Sequence, residues 1–540
     1  MRLLSLIFLL FLGFGSLAQT AENEKLLQLY INEGDCERAL LYFDDVYSNS
    51  PSGKQFYSDY LSCLSKAGDL KAAKKLIKSH YRKSSNKIDP AFDEGWVYYE
   101  NQEYEKAEDV FQSIIEETPA QRNWVANVAN KFRNIGLEEW ALKTYQYWSG
   151  KVEPKYGFYL ESANIYGSLG KYDLMIDAYL DLVVENPAYK QSAQNAFLRY
   201  LNFDEDEESK ELLRKRLLLY RQKNTENPAF SDLLIWYFTA IKEFRPAFTQ
   251  LKGLVKRLGG GHQRILSLAI QAYKFEDYET AQEAVDFINN ANLNQQGFLG
   301  DVQGLDLLLK QLKCLDNCPS WLEPAKAFVL SGKYSQFRMN LTRKVFDTYN
   351  KYVHADSAAH FLDLTINSPV YNDQEKGYFK LWKGDWWLEN DDVWEAALLY
   401  GQVERRFKED LLGGEAKYRS ALISYYTGDF AWAQAQLKVL KASTSKLMAN
   451  DALQLGVLIS DNLGVDSVDI PLIRFSQADL KLKQNKRAEA REILNTILAD
   501  FPGHSLEDEI WFRFFTLDRA AGNIEGALAW LNKIRDLRSD

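Results

Sequence analysis

Turn-forming residues are scarce in this 540-residue chain: its 30 glycines and 12 prolines fall below the roughly 12% that an average protein carries. Collagen-like and disordered compositions are excluded. Positive charge is short as well, with 65 Lys and Arg against 75 Asp and Glu, a net charge of -10 and a pI near 5.4. Phosphate backbones are held by clustered Lys and Arg that release counterions, so nucleic acid is not an expected partner. After the first residues no apolar run reaches the about 20 positions that a bilayer span requires. Histidine (5) and cysteine (4) are few, and no HExxH, GxSxG or complete phosphate loop occurs. What remains is 46% hydrophobic and 26% charged residues, the profile of a folded chain with large cores. At roughly 150 residues per domain the length allows three or four globular units.

The first residues are a separate object. Arg2 precedes an apolar run from Leu3 to Leu12 broken only by Ser5, and Ser16-Leu17-Ala18 supplies a small-residue end. This order predicts a secretory signal peptide over 1–18, cleaved after Ala18. A retained anchor is disfavoured because the run is short for a bilayer. The mature chain is then expected to begin at Gln19, with no transmembrane segment and no cysteine nearby to carry a lipid.

Self-similarity decides more than local propensity when its period lies between 20 and 50 residues. The segments GDCERALLYFDDVYSNSP, NQEYEKAEDVFQSIIEETP and GKYDLMIDAYLDLVVENP each run from a turn through an apolar helical face to a proline. A small residue marks their register at Ala39, Ala73, Ala107 and Ala141, with Met175 in the fifth place, at a constant spacing of 34. Small residues also pair twelve apart, as in Gly95/Ala107, Ala129/Ala141, Ala269/Ala281, Gly384/Ala396, Ala421/Ala433 and Ala478/Ala490. Two antiparallel helices approach closely only where neither carries bulk, since overpacking costs about 1 to 3 kcal/mol. Larger residues four positions later, such as Phe43, Phe111, Tyr145 and Tyr179, are expected to fill the space between repeats. Pro51, Pro119, Pro187 and Pro502 mark helix exits.

Gly95, Tyr98, Ala107, Phe111 and Pro119 sit at the signature spacing of the tetratricopeptide repeat, which this region resembles. The resemblance implies an all-α superhelix of helix hairpins, an α-solenoid. Residues 19–200 read as an N-terminal array, 201–290 as degenerate repeats, 291–375 as an irregular helical connector and 376–540 as a C-terminal array. The stretch from Asp392 to Gly456 is similar to exported tetratricopeptide proteins of Bacteroidetes bacteria, which implies a cell-envelope setting without naming a reaction.

Carrying the family's groove positions onto this register places Phe92, Trp96 and Tyr99 on the concave side of the third repeat, Asn130 and Arg133 in the fourth and Asn164 in the fifth. Tyr418, Tyr425 and Tyr426 form a second patch in the C-terminal array. Aromatic side chains there suit anchoring of a partner, and the asparagine amides suit an extended backbone. Stacking between repeats is an equally good use of the same aromatics. A carboxylate clamp is incomplete, because Ala126 and Glu161 stand where that clamp needs a lysine and an asparagine.

Other chemistry finds little support. Cys314 and Cys318, in apparent loop sequence, are candidates for a small disulfide in an oxidising compartment. Cys36 and Cys63 read as buried small residues rather than a pair. His354, Asp356, His360 and Asp363 form the one local His and carboxylate cluster, and surface or capping roles suit its spacing better than a metal or acid–base site. The acidic run from Asp204 to Glu208 lacks the glycine and ligand spacing of a calcium loop. No cofactor, metal or catalytic residue is expected. The expected function is a non-catalytic exported scaffold, periplasmic or outer-membrane-associated, that binds envelope proteins or peptides through its concave groove. The alternative is a glycan-binding periplasmic or surface protein, motivated by 13 Trp and 31 Tyr.

Overall fold

The computed structural model describes residues 19–291, 293, 296–313, 319–443, 446–463 and 469–537. The expected signal peptide and the Cys314–Cys318 pair both lie outside the described residues. All the regular structure is helical, and among the described residues there is no strand. The chain divides into two compact units, Met1–Leu254 and Val255–Asp540.

The first unit contains α1 (19–33), α2 (Cys36–Asn49), α3 (Tyr57–Lys66), α4 (Leu70–His80), α5 (Ile88–Glu100), α6 (Tyr104–Glu117), α7 (Arg122–Asn134), α8 (Glu138–Trp148), α9 (Tyr159–Ser168), α10 (Tyr172–Glu185), α11 (Lys190–Tyr200), α12 (Glu207–Lys223) and α13 (Pro228–Ala240). Helix α14 (Phe244–Leu258) runs across the division. The second unit contains α15 (His262–Lys274), α16 (Tyr278–Asn289), α17 (Gln296–Leu312), α18 (Pro319–Leu330), α19 (Arg338–Thr348), α20 (Ala355–Asn367), α21 (Asp373–Glu389), α22 (Val393–Arg406), α23 (Leu411–Tyr426), α24 (Phe430–Ser443), α25 (Lys446–Asn462), α26 (Ile470–Lys483), α27 (Arg487–Asp500), α28 (Glu507–Ala520) and α29 (Ile524–Leu537). The segment expected to be irregular therefore holds four well-formed helices, α17 to α20. Among the described residues of this segment, a wide π-type turn occupies Tyr349–Val353.

Hairpins form because each first helix ends on a left-handed residue. Gly34, Gly68, Gln102, Gly136 and Gly170 all have φ between +62° and +76°, and they recur at the 34-residue spacing read from the sequence. At Gly34 the amide donates to Ile31 O (3.0 Å) and the next amide, Asp35, donates to Tyr30 O (2.9 Å). This pair of bonds satisfies the last carbonyls of the helix and reverses the chain. Asp35 then caps α2 by accepting from Arg38 N, and Asp69, Asp277, Asp392 and Asp429 repeat the role in later hairpins. One short turn thus both stops a helix and starts the next.

The register residues lie in the hairpin necks. Ala39, Ala73, Ala141 and Met175 are fully buried and Ala107 nearly so. A Cβ built on Gly95 would stand 2.5 Å from Phe111 Cε1, and one on Gly384 would stand 2.5 Å from Tyr400 Cε1. Phe111 was expected to fill the space between repeats. Phe111 and Tyr400 press into the neck itself, which leaves room for no side chain opposite. In the first unit, Phe111, Phe132, Phe92 and Trp140 form one aromatic core with ring centroids 5.0 to 6.1 Å apart.

Cys36 and Cys63 are joined in a disulfide, with Cα atoms 5.0 Å apart. This corrects the reading of them as separate buried residues. The start of α2 and the last turn of α3 lie at the same end of the antiparallel packing, which brings together two cysteines 27 residues apart.

Candidate functional site: a tyrosine-lined groove in the second unit

Two aspartates near the C-terminus are each held by an arginine from another helix. On α21, Asp385 accepts from the Tyr400 hydroxyl (2.7 Å) and from Arg419 Nε on α23 (3.2 Å). On α26, Asp479 accepts from the Tyr425 hydroxyl (3.0 Å) and is held by Arg513 of α28 through a fork of two bonds, 2.7 and 3.2 Å. Both Asp–Arg pairs span 34 residues, so the repeat period places the same ion pair twice. Burial alone would lower the Arg419 pKa, but the Asp385 carboxylate beside it outweighs that and raises it. Arg513 behaves alike, held charged by Asp479 against its own burial. Fixed in this way, neither guanidinium swings freely.

The turns of two hairpins distant in sequence close one end of this region. Gln484 Nε2 donates to Leu388 O at 3.1 Å, Lys483 pairs with Glu389 at 3.3 Å, and Lys486 pairs with Asp391. The walls enclose two hollows, of about 470 and about 1070 Å³, that meet along Tyr418, Leu422, Tyr426 and Asp451. Leu455, Leu458 and Leu482 extend the apolar wall, while Asp461, Asp508 and Glu509 line the rim of the larger hollow. Tyr418 and Tyr426 are half-buried and present part of each ring to the groove. Burial raises the pKa of both, with nearby carboxylates acting in the same direction, so both are neutral donors at ordinary pH. The arrangement offers flat aromatic and leucine surface for apolar anchors, hydroxyls for a backbone, and carboxylates at the edge.

The residues expected at a groove are distributed differently. Tyr418 and Tyr426 line the hollows. Tyr425 contributes to the lining but is 1% exposed, with its hydroxyl committed to Asp479. In the first unit the expected patch does not assemble. Phe92 is 5% exposed and belongs to the aromatic core. Trp96 packs against the N-terminal cluster around Cys63 and Val97. Tyr99 packs edge-on to Tyr104 at 5.4 Å beside the hairpin turn. These three aromatics therefore serve stacking, the other use the sequence allowed. Asn130 and Arg133 are exposed, and Asn164 Oδ1 accepts from the Tyr179 hydroxyl at 2.9 Å, a bond within its own hairpin.

The histidine and carboxylate cluster is likewise divided. His354 caps α20, with Nδ1 accepting from Asp356 N at 3.3 Å, Asp363 pairs with Lys383 at 2.6 Å, and His360 is exposed. Sequence reasoning missed Asp385, Arg419, Asp479 and Arg513. The available signal was the recurrence of an aspartate and an arginine one repeat apart.

Helix hairpins stacked in this register define an α-solenoid of the tetratricopeptide type, a class of scaffold for protein–protein interaction. The tetratricopeptide repeat model matches residues 474–504, which fall on α26 and α27. Among solved structures 172 chains match. One is titled "Structure of Naa15/Naa10 bound to HypK-THB", at 12% identity and a TM-score of 0.29, over 97% of this chain and 81% of that one. No curated protein matches the chain. Among the described residues no helix is long and apolar enough to cross a membrane.

Proposed function

We propose that this protein is a non-catalytic, exported scaffold that holds a protein of the bacterial cell envelope in the Tyr418–Tyr426 groove. The observation that carries the reading is the groove itself: half-buried tyrosines and leucines between helices whose arginines are fixed by partly buried aspartates. Such a surface is already ordered before a partner arrives, which lowers the entropic cost of binding. The export part of the proposal rests on the leader-like segment from Arg2 to Ala18 and is supported by the Cys36–Cys63 disulfide, because such bonds persist in oxidising compartments.

The test is capture of partners from native cells. Envelope proteins are expected to co-purify with the full chain and to be lost when Tyr418 and Tyr426 are both replaced by alanine, with helicity by circular dichroism unchanged. Capture that survives the double substitution would move the site elsewhere. Saturable binding to a purified polysaccharide, with no protein captured, would replace the scaffold reading with a glycan-binding one.

A further inference from the structure

A second groove in the same unit, of about 820 Å³, lies between the first half of α21, the end of α20 and the outer face of α22. It shares no residue with the tyrosine-lined groove. Its charge runs against that of the chain: Lys376, Lys380, Arg405 and Arg406 line it, with Asp373 as its one carboxylate. Asp373 is engaged by Arg406. Lys380 donates to Gln402 Oε1 at 2.9 Å.

Three of its features bear on what it could hold. Lys376 is the fourth residue of α21, next to the N-terminal turn where the helix field disfavours cations. Gly401 stands inside α22, where glycine costs about 1 kcal/mol relative to alanine. A Cβ at Gly401 would meet nothing within 4 Å, so packing does not require the glycine. Its absence of side chain deepens the groove floor. Leu398 is 56% exposed and Trp394, one turn earlier on the same helix face, is 74% exposed, in a position suited to a partner anchor.

We propose that this groove is a second protein-binding site and that its occupant is an acidic amphipathic segment of a partner. Carboxylates of that segment face Lys376, Lys380 and Arg405. An apolar side chain enters over Gly401 beside Leu398, and Trp394 covers the far end. Charge complementarity selects the occupant: an excess of cations within an acidic protein favours an anionic segment and repels a basic one.

The probe is a synthetic, fluorescein-labelled helical peptide of about 16 residues, with leucines on one face and glutamates on the other, titrated into the full chain and read by anisotropy. A sister peptide carries lysine for each glutamate. The acidic peptide is expected to bind at least about ten-fold more tightly than its sister. Raising the salt from about 50 to about 300 mM is expected to weaken it several-fold. Gly401→Leu is expected to weaken binding about ten-fold or more by filling the floor, while substituting a better helix former, so that unchanged circular dichroism and melting separate occlusion from unfolding. Lys376→Glu with Lys380→Glu has the same expected effect, and Lys376→Arg with Lys380→Arg retains binding. Absence of binding, equal binding of the two peptides, or wild-type affinity in Gly401→Leu overturns the proposal. Sedimentation with phosphatidylglycerol vesicles that Lys376→Glu and Lys380→Glu abolish, with the peptide inert, also overturns it, by assigning the surface to a membrane.

Discussion

His80 is shielded from water by Tyr57, whose ring stacks on it at 3.6 Å, and its Nδ1 lies 2.8 Å from the Tyr47 hydroxyl. Burial holds its pKa below the ordinary histidine value, with Asp93 opposing the shift and Lys54 adding to it. In the unfolded chain the ring returns to a pKa of about 6.5, so the unfolded state binds more protons below that value. The His80 contribution to stability is therefore complete above about pH 6.5 and lost as pH falls through the lower folded-state pKa. Neighbouring Asp93 has the opposite sign. Burial raises its pKa although Tyr57 and Tyr81 donate to it, so its contribution is present below the ordinary carboxylate range and lost as pH rises through the folded value. The first unit is expected to melt at lower temperature on going from about pH 7 to about pH 5, and His80→Phe to flatten that dependence. Thermal melts of the two proteins across this range check it, and equal slopes would remove His80 as the cause. At this scale the sequence was a partial guide. The groove tyrosines 418 and 426 were readable from family positions, but Phe92 and Trp96 were not. The same helical stripe supplies both the groove and the seam between repeats, and only the packing of neighbouring hairpins decides between them. The Asp385–Arg419 and Asp479–Arg513 pairs escaped notice because each partner belongs to a different hairpin.

Two glycines at the level of the helix make opposite demands. Gly95 faces Phe111 at a distance no methyl group can occupy, whereas Gly401 faces open space. Alanine gains about 1 kcal/mol over glycine in a helix interior. At Gly401 that gain is unopposed, so Gly401→Ala is expected to stabilise by up to about 1 kcal/mol. At Gly95 it is opposed by overpacking of about 1 to 3 kcal/mol, for a net loss of about 1 kcal/mol. Denaturant titration of the two variants measures the difference, and a stabilising Gly95→Ala would contradict the neck geometry. Hairpins were the best-read level of the structure, since Ala39, Ala73, Ala107 and Ala141 report the period directly. The left-handed turns were readable where glycine occupies them. At Gln102, Lys242 and Glu276 the same conformation is adopted by residues that carry no such signal.

In the molecule as a whole, the two-unit division was hidden because local repeats continue through it: helix α14 spans the boundary without a break in pattern. The disulfide was hidden for a related reason, since it joins residues of different helix pairs. Closing a loop of this size contributes about 2 to 4 kcal/mol. Reduction, or Cys36→Ser with Cys63→Ser, is expected to raise hydrogen-exchange rates over α1 to α4 and to leave the second unit unchanged. Unaltered exchange in α1 to α4 would show the bond to be dispensable there. A row of hairpins holds each member only through its neighbours, so loss of order ordinarily begins at whichever end is loosest. The bond from Cys36 to Cys63 rivets the leading edge of the row. Fraying from that side is suppressed.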